Sequence, residues 1–380
     1  MYRLPYTKSF VANPPFSQKN WLASDMLPDQ YNRWTANLLP PAKCGDYAFL
    51  LHLISSMKAN VGRGACILPH GVLFRGNAEY DIRKDIIEKH YIKGIIGLPP
   101  NIFFGTGIPT IVMVLRKSRP TSDVLIVDAS NGCKKEGKKN KLRASDIKRI
   151  VDTYISKKDV SKFSRLVTKE EIRANGYNLN IPRYVNSSDD VETWDLYATM
   201  FGGVPKAELA AMDKYWAAFA GLKDSLFKQT DTPQTEFKVV DIREVVENHA
   251  AIVGFKNLFS EKFGGFGEIL HHRLLDNMQS LNIAAEEDAI TSYIFKQLEQ
   301  MPLVDRFEAY QLFADKWQTI SQDLEIIQSE GFEATRVVDA NWVVKKKDDK
   351  EYEVQDGWIG RILPFELVQT TFLKSEWQAL

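Results

Sequence analysis

The sequence predicts an α/β fold in its first half and a mainly α-helical fold in its second half. Between Gly45 and Lys117, segments with helical spacing of apolar residues alternate with short apolar runs typical of buried strands. Beyond Val185 the strand-like runs give way to stretches with helical spacing. A chain of 380 residues is long enough for two such domains, which we place at residues 1–190 and 191–380.

The composition is that of an ordinary globular protein, with 44% hydrophobic and 26% charged residues. Lys plus Arg and Asp plus Glu both number 49, so any nucleic-acid binding must come from local patches or from another subunit. Cys44, Cys66 and Cys133 lack CxxC spacing and the histidines lack ligand spacing, so no metal site is predicted. No apolar run is long enough to span a membrane, and a cytoplasmic location is expected.

The first predicted strand runs from Tyr6 to Ala12 and is expected to pair in a buried sheet. Asn13 ends it, followed directly by Pro14 and Pro15. Each proline fixes its own φ and keeps the preceding residue out of the helical region, so the backbone here is stiff and extended. A stiff, polar strand end is suited to holding chemical groups in place.

The following elements complete the α/β half. Helical spacing marks "GDYAFLLHLISSMKAN" and "EYDIRKDIIEKHY", and apolar runs mark strands in "GRGACILP", "IKGIIGLP", "TIVMVLRK" and "TSDVLIVDAS". Five lysines and Arg143 then fall between positions 134 and 143. This segment is predicted to be a solvated loop, with a phosphate-contacting loop as the alternative.

The second half begins with a helical stripe that is typical of a packing seam. Its apolar members are Leu209, Met212, Trp216, Phe219 and Leu226. Several further helices are expected up to Glu330, and "GFEATRVVDANWVVKKKDD" indicates a closing hairpin or an extended tail.

The segment Asn13 to Phe16 suits methyl transfer to adenine. The amino group of adenine is a poor nucleophile because its lone pair is delocalised into the ring. The Asn13 amide oxygen and the Pro14 carbonyl oxygen could accept hydrogen bonds from its two N–H groups. These hydrogen bonds would favour a pyramidal nitrogen and direct its lone pair toward a methyl group. Phe16 could stack on a base that has left the duplex. The alternative is a turn with a buried Phe16.

At this point the sequence resembles the modification subunits of type I restriction-modification systems, which are adenine-specific DNA methyltransferases. The collinear segments that carry the resemblance, within residues 6–185, are "GDYAFLLH", "GRGACILPHGVLFRGN", "DIRKDIIEKH", "IIGLPPNIFFGTGIPTIVMVLRK", "VLIVDAS" and "GYNLNIPRYV". The resemblance implies that Asn13, Pro14, Pro15 and Phe16 are catalytic. It implies that Phe103 is the second aromatic residue around the flipped base, with Phe104 as its competitor; either can instead be core.

The resemblance also implies partners and a methyl donor. The partners are DNA, a specificity subunit and a restriction subunit, and residues 200–230 would dock on the specificity subunit. The donor is S-adenosylmethionine, held in the family by a Phe-x-Gly-x-Gly turn after the first strand. The chain begins twelve residues before Asn13, so we expect a partial Rossmann-like methyltransferase sheet that lacks the donor half. The chain alone would then be inactive. It would be a fragment, a degenerate remnant, or a split-gene product whose N-terminal half is carried by a separate polypeptide.

One other segment has the spacing of the donor turn. Phe263, Gly265 and Gly267 in "KFGGFGEIL" could form a permuted donor site, but the preceding "FKNLFSEK" has helical character, which favours a glycine-rich loop. The glycines of "GRGAC" and "GTGIPT" are interpreted as turns.

Two alternative functions use the same features. In one, the chain is a non-catalytic assembly protein whose helical half binds partner subunits. In the other, the Asn-Pro-Pro-Phe segment serves methylation of a protein glutamine or of RNA.

Overall fold

A computed structural model describes residues 6–22, 29–34, 38–187, 195–299, 301–347, 350–371 and 373. Its backbone contacts divide the chain into two compact units, residues 1–192 and residues 193–380. The first unit is α/β and the second is mainly helical, which confirms the predicted fold class. Within the described residues, no helix is both long enough and apolar enough to cross a membrane.

The first unit alternates strands and helices as predicted. Its elements are β1 (Ser9–Ala12), α1 (Asp46–Ser56), β2 (Arg63–Pro69), α2 (Ala78–Glu88), β3 (Ile92–Gly97), β4 (Thr110–Arg116), β5 (Val124–Asp128), β6 (Lys134–Glu136), β7 (Lys139–Lys141), α3 (Ala144–Ser156), β8 (Ser164–Val167) and α4 (Lys169–Ala174). Short 3₁₀ turns cover His70–Leu73 and Ile181–Arg183.

Six of these strands form one mixed sheet in the order β1-β2-β4-β3-β5-β8. β1 is parallel to β2 and β3 is parallel to β5, whereas β4 is antiparallel to both of its neighbours, β2 and β3. Strands β1, β2, β3 and β5 therefore run in the same direction and end at one edge of the sheet, called here the carboxyl edge. In α/β sheets this edge is where ligands bind.

Apolar side chains cover both faces of the central strands, as their near-continuous apolar sequences predict. On one face Leu50 and Ile54 of α1 pack with Ile82 and Ile86 of α2. A second apolar cluster includes Val127 of β5 and Ile150 of α3 and packs between the sheet and this helix. These two apolar layers bury the central strands of the sheet.

Strand β1 differs from the prediction, because it is a shorter edge strand and is not buried. It spans Ser9–Ala12, and the side chain of Val11 is 87% exposed. Phe10 points to the other face and packs on Gly64 of β2, where an added Cβ would lie only 2.3 Å from the ring. The interpretation of "GRGAC" as a turn is therefore wrong for Gly64, which lies within a strand and leaves room for an aromatic ring.

The second unit is built mainly from helices. Its elements are α5 (Leu196–Phe201), β9 (Val204–Pro205), α6 (Lys206–Ala211), α7 (Asp213–Ala218), α8 (Leu222–Leu226), β10 (Gln234–Thr235), α9 (Ile242–Asn248), α10 (Ala250–Phe263), α11 (Phe266–Leu274), α12 (Ile283–Leu298), α13 (Arg306–Glu330), β11 (Val338–Lys347), β12 (Lys350–Gly360) and α14 (Phe365–Thr371). The helices up to Glu330 and the hairpin β11–β12 match the prediction.

The predicted stripe from Leu209 to Leu226 is divided among three short helices, α6, α7 and α8. Leu209 and Leu226 are buried, and Trp216 and Phe219 pack against them, which confirms a packing seam. Met212 is the exception: it lies between two helices and is 41% exposed. Gly221, with φ of +81°, separates the last helix from the others.

The Phe263–Gly267 segment joins two helices, α10 and α11, and follows no strand. The residues before it, which would have to form a strand in a permuted donor site, lie within the 14-residue helix α10. The permuted donor site is therefore excluded, although the glycines form a tight helix junction and not an open loop.

Candidate active site

The segment that follows β1 lies at the carboxyl edge of the sheet. Asn13 and Pro15 are exposed, and Pro14 and Phe16 are half-buried. Within the described part of the chain, neither the Asn13 amide nor the Pro14 carbonyl makes a hydrogen bond. Both oxygen acceptors are therefore open to a ligand.

Two aromatic rings meet beside this segment. The centroids of Phe16 and Phe103 lie 5.7 Å apart with the ring planes at 80°, an edge-to-face contact. Phe103 follows β3 and Phe16 follows β1, so the shared direction of these strands brings both rings to the carboxyl edge. Phe104 points away and is 93% exposed. Of the two candidates in "NIFFGTG", Phe103 is thus the ring that meets Phe16.

The ring contact closes the space that a planar base would occupy. A base stacked between two faces needs their planes about 7 Å apart, twice the optimal carbon–carbon separation. The observed centroid distance is 5.7 Å and the rings are nearly perpendicular. A base can enter only if one ring turns or its loop moves outward.

A buried carboxylate fixes the backbone immediately after Phe16. Ser17 adopts a φ of +49°, and its N–H donates to Asp46 Oδ1 at 2.6 Å. Its hydroxyl donates to Asp46 Oδ2 at 3.4 Å. Asp46 is 1% exposed and is the first residue of α1, where the helix dipole favours a negative charge. Gly45 N–H donates to Gln18 O at 2.9 Å and fixes the same loop again.

Asp46 belongs to a small ionic network. Arg75 Nη1 lies 2.8 Å from Asp46 Oδ2, 3.3 Å from Glu79 Oε1 and 3.1 Å from Cys44 Sγ. Burial raises the pKa of the Cys44 thiol to about 11 and also raises the pKa of Glu79. The thiol is therefore protonated at neutral pH, and it donates to Asp46 Oδ2 at 3.2 Å.

Cys44, Asp46 and Glu79 place three potential metal-ligand atoms within 4.8 Å of one another. The Arg75 guanidinium already provides the cation that these groups face, and a metal ion in the same place would be repelled by it. Asp46 and Arg75 were missed from the sequence as site residues. A lone carboxylate opening the apolar helix "DYAFLLH" is the signal that could have identified Asp46.

Two further polar residues lie at the carboxyl edge. Asp128 ends β5, where its carboxylate accepts hydrogen bonds from Ser130 N–H at 3.0 Å and from the Ser187 hydroxyl. His70 follows β2, and burial lowers the pKa of its imidazole. His70 is therefore neutral at pH 7, and no positive charge from it faces the ligand side of the sheet.

Comparison with known proteins identifies the class of protein to which this fold and this site belong. Residues 5–193 match the N-6 DNA Methylase family model, and this part of the chain belongs to that family. The family resemblance seen in the sequence is confirmed.

The individual relatives are methylase subunits of type I restriction enzymes. The chain is 34% identical over 190 residues to the MpnII methylase subunit of Mycoplasma pneumoniae, covering 49% of this chain and 34% of that subunit. It is 34% identical over 218 residues to the MjaVII methylase subunit of Methanocaldococcus jannaschii, covering 54% and 37%. The chain spans about a third of the length of these relatives.

A solved structure is also similar. The methyltransferase subunit of a type I restriction-modification system from Streptococcus thermophilus is 43% identical, with a TM-score of 0.45, over 48% of this chain and 39% of that one.

S-adenosylmethionine is the methyl donor that the family implies. The turn expected to hold it is Phe-x-Gly-x-Gly at the end of a sheet strand. Among the described residues, the one segment considered for this role, Phe263 to Gly267, lies between helices. These residues therefore do not fit the donor.

Proposed function

We propose that residues 6–187 form the target-base half of an adenine-specific DNA methyltransferase. The observation that carries this proposal is the meeting of Phe16 and Phe103 beside Asn13, whose amide has no partner in the described part of the chain. An aromatic pair next to a free amide and a proline-fixed carbonyl offers both stacking and two hydrogen-bond acceptors to a flipped adenine.

The chemistry requires orientation more than acid–base strength. The Asn13 amide oxygen and the Pro14 carbonyl oxygen accept hydrogen bonds from the two amino N–H groups of adenine. This arrangement directs the nitrogen lone pair toward the methyl group. Pro14 and Pro15 hold these acceptors in an extended backbone, and Asp46 fixes the residue that follows Phe16. S-adenosylmethionine, the donor implied by the family, would supply the methyl group.

The partners of this proposal are supported by the relatives, which are methylase subunits of type I restriction enzymes. We infer that the chain acts on DNA together with a specificity subunit and a restriction subunit. In the second unit, Trp216 and Phe219 pack inside the unit and are poorly placed to dock on a specificity subunit. Docking through residues 200–230 would instead use exposed side chains such as Met212 and Tyr215.

The test is Asn13→Ala in a complex reconstituted from the chain, its specificity subunit and any donor-binding polypeptide. Methyl transfer from labelled S-adenosylmethionine to DNA should fall by about 10² to 10³-fold, the usual loss when one preorganised hydrogen-bonding group is removed. Asn60→Ala, at an exposed asparagine before β2, is the matched control and should leave the rate unchanged. Near-normal turnover by Asn13→Ala would contradict the mechanism.

The same experiment separates the alternative functions. A complex that assembles fully but transfers no methyl group, even with the unaltered chain, would support a non-catalytic assembly role. Mass spectrometry of the product distinguishes methylated adenine in DNA from methylated RNA or a methylated protein glutamine.

A further inference from the structure

The lysine-rich segment forms a β-hairpin and not the open loop that the sequence favoured. Strands β6 and β7 pair in register from Lys134 with Lys141 to Glu136 with Lys139. Gly137, with φ of +60°, provides the tight turn between them. Five of the eight residues from 134 to 141 are lysines and one is an acid. The hairpin thus concentrates positive charge in a chain whose formal net charge is zero.

This hairpin is fastened to the loop that carries Phe103. The Asn140 backbone N–H donates to Asn101 O at 3.1 Å, and the Asn140 side-chain amide donates to Pro100 O at 2.8 Å. Lys139 Nζ donates to Phe103 O at 2.5 Å. The hairpin is therefore attached to the loop of Phe103, at the carboxyl edge of the sheet.

Three of the lysines have no acidic partner. Lys134, Lys135 and Lys138 are exposed and make no ion pair among the described residues. Lys141 pairs with Glu136 at 3.3 Å, but both side chains are largely exposed, so this pair is weak. Three unpaired ammonium groups on a fixed hairpin suit a ligand that carries several negative charges at regular spacing.

We propose that hairpin 134–141 binds the DNA phosphate backbone next to the base that enters between Phe16 and Phe103. The proposal rests on the function proposed above and adds the element that holds the strand. Extrusion of a base costs a few kcal/mol, and phosphate contacts beside the pocket offset part of that cost. Lys139 is hydrogen-bonded to the Phe103 carbonyl, so a movement of the hairpin toward a bound phosphate also moves the loop of Phe103. That loop movement separates the Phe103 ring from the Phe16 ring and opens space for the base.

The test compares two triple variants of the full chain. In the first, Lys134, Lys135 and Lys138 are changed to Gln. In the control, Lys8, Lys58 and Lys158 are changed to Gln. These three lysines are exposed and make no ion pair among the described residues. Lys8 precedes β1, Lys58 precedes β2, and Lys158 follows α3, whose Tyr154 packs beside Gly94 near the start of β3. Both variants lose the same charge from exposed positions, and thermal unfolding checks that both fold.

Binding of a fluorescein-labelled DNA duplex is measured by anisotropy between 50 and 200 mM NaCl. Loss of three phosphate contacts should lower the slope of log Kd against log salt concentration by about 2.7. Across this salt range the unaltered chain should lose about 40-fold more affinity than the hairpin variant. The control should keep the slope of the unaltered chain.

An unchanged slope in the hairpin variant, an equal decrease in the control, or no DNA binding by the unaltered chain at 50 mM NaCl would each overturn the proposal. Its failure is distinct from failure of the methyltransferase function. Asn13-dependent methylation with an unchanged slope contradicts only the hairpin, whereas a hairpin-dependent slope without methyl transfer contradicts only the catalytic function.

Discussion

The two rings of the candidate base pocket are held by opposite means. Phe16 follows an edge strand, yet the next residue is bound by the buried carboxylate of Asp46. Phe103 follows the central strand β3, yet its loop is bound by the partly buried Lys139 of the lysine-rich hairpin, which is not part of the six-stranded sheet. Phe16, which follows the edge strand β1, is thus held by the stronger contact, the hydrogen bond from Ser17 to the buried Asp46.

This difference indicates how the pocket works. A buried ionic network stays in place without ligand, because disrupting it leaves a charge unpaired in a poorly solvated site. The single Lys139 contact on the other side is only partly buried, so it holds the Phe103 loop more weakly, and the loop moves with the hairpin when the other lysines bind phosphate. We therefore expect the Asn13–Phe16 side to be preorganised and the Phe103 side to respond to nucleic acid.

The largest expected effect comes from removing the anchor on the Phe16 side. Asp46→Ala leaves Arg75 with Glu79 alone and releases Ser17, and should lower the free energy of unfolding by about 3 kcal/mol. Urea denaturation measures the loss. Asp85→Ala, which removes an exposed pair with Lys89, should cost less than about 0.5 kcal/mol. Equal losses in the two variants would show that the network is no stronger than a surface pair.

The next effect concerns the ring on the responsive side. Phe103→Ala should weaken capture of the base by roughly 1 to 3 kcal/mol, a loss of about 5 to 150-fold in kcat/KM for DNA methylation. Phe104→Ala, its exposed neighbour, is the control and should change kcat/KM by less than about twofold, because single exposed side chains rarely contribute more. The reverse ranking would assign the stacking role to Phe104.

A smaller effect is expected from crowding β1. Gly64→Ala places a methyl group 2.3 Å from the Phe10 ring, which must swing outward, and should cost about 1 kcal/mol, the low end for overpacking, because the ring is only partly buried. Hydrogen exchange of the β1 amides should accelerate. Gly76→Ala meets nothing within 4 Å and is the neutral control. Unchanged exchange in β1 would show that Phe10 does not hold the strand.

The smallest effect is a change in pH dependence. Burial raises the pKa of Glu79 above its ordinary 4.5, so the folded state retains a proton that the unfolded state releases. Stability should therefore fall as pH rises from about 4.5 through the raised pKa of the folded state. Glu79→Gln should flatten this part of a stability–pH profile measured by thermal unfolding. An identical profile would mean that Glu79 titrates normally.

The sequence predicted most of the α/β unit because its strands are buried on both faces and read as continuous apolar runs. The resemblance to known subunits implied that Phe103 would join Phe16, and in the structure the shared direction of β1 and β3 brings the two rings together. The burial of β1 was predicted wrongly, because an edge strand with apolar residues such as Val11 cannot be distinguished locally from a central one. The hairpin was missed because its lysines carry no apolar alternation.

The anchoring network shows a second limit of sequence reasoning. Asp46, Arg75 and Glu79 come together through packing of α1 against the segment that opens α2, and no local spacing predicts their ion pairs. Similarly, the role of Gly64 depends on a ring from another strand. Such contacts are set by tertiary packing, whereas the elements themselves are set by local pattern.

Strand β1 also has a kinetic consequence. It pairs with one neighbour over four residues, so it can detach by losing this short ladder, the adjoining bridge from Thr7 to Met57 and one half-buried ring. Sub-global openings of this kind cost less free energy than global unfolding. Because Asn13 follows directly after this strand, each opening displaces Asn13 while Ser17 stays bound to Asp46 and the rest of the sheet stays intact. Warming should therefore inactivate the protein reversibly before the calorimetric transition of the core.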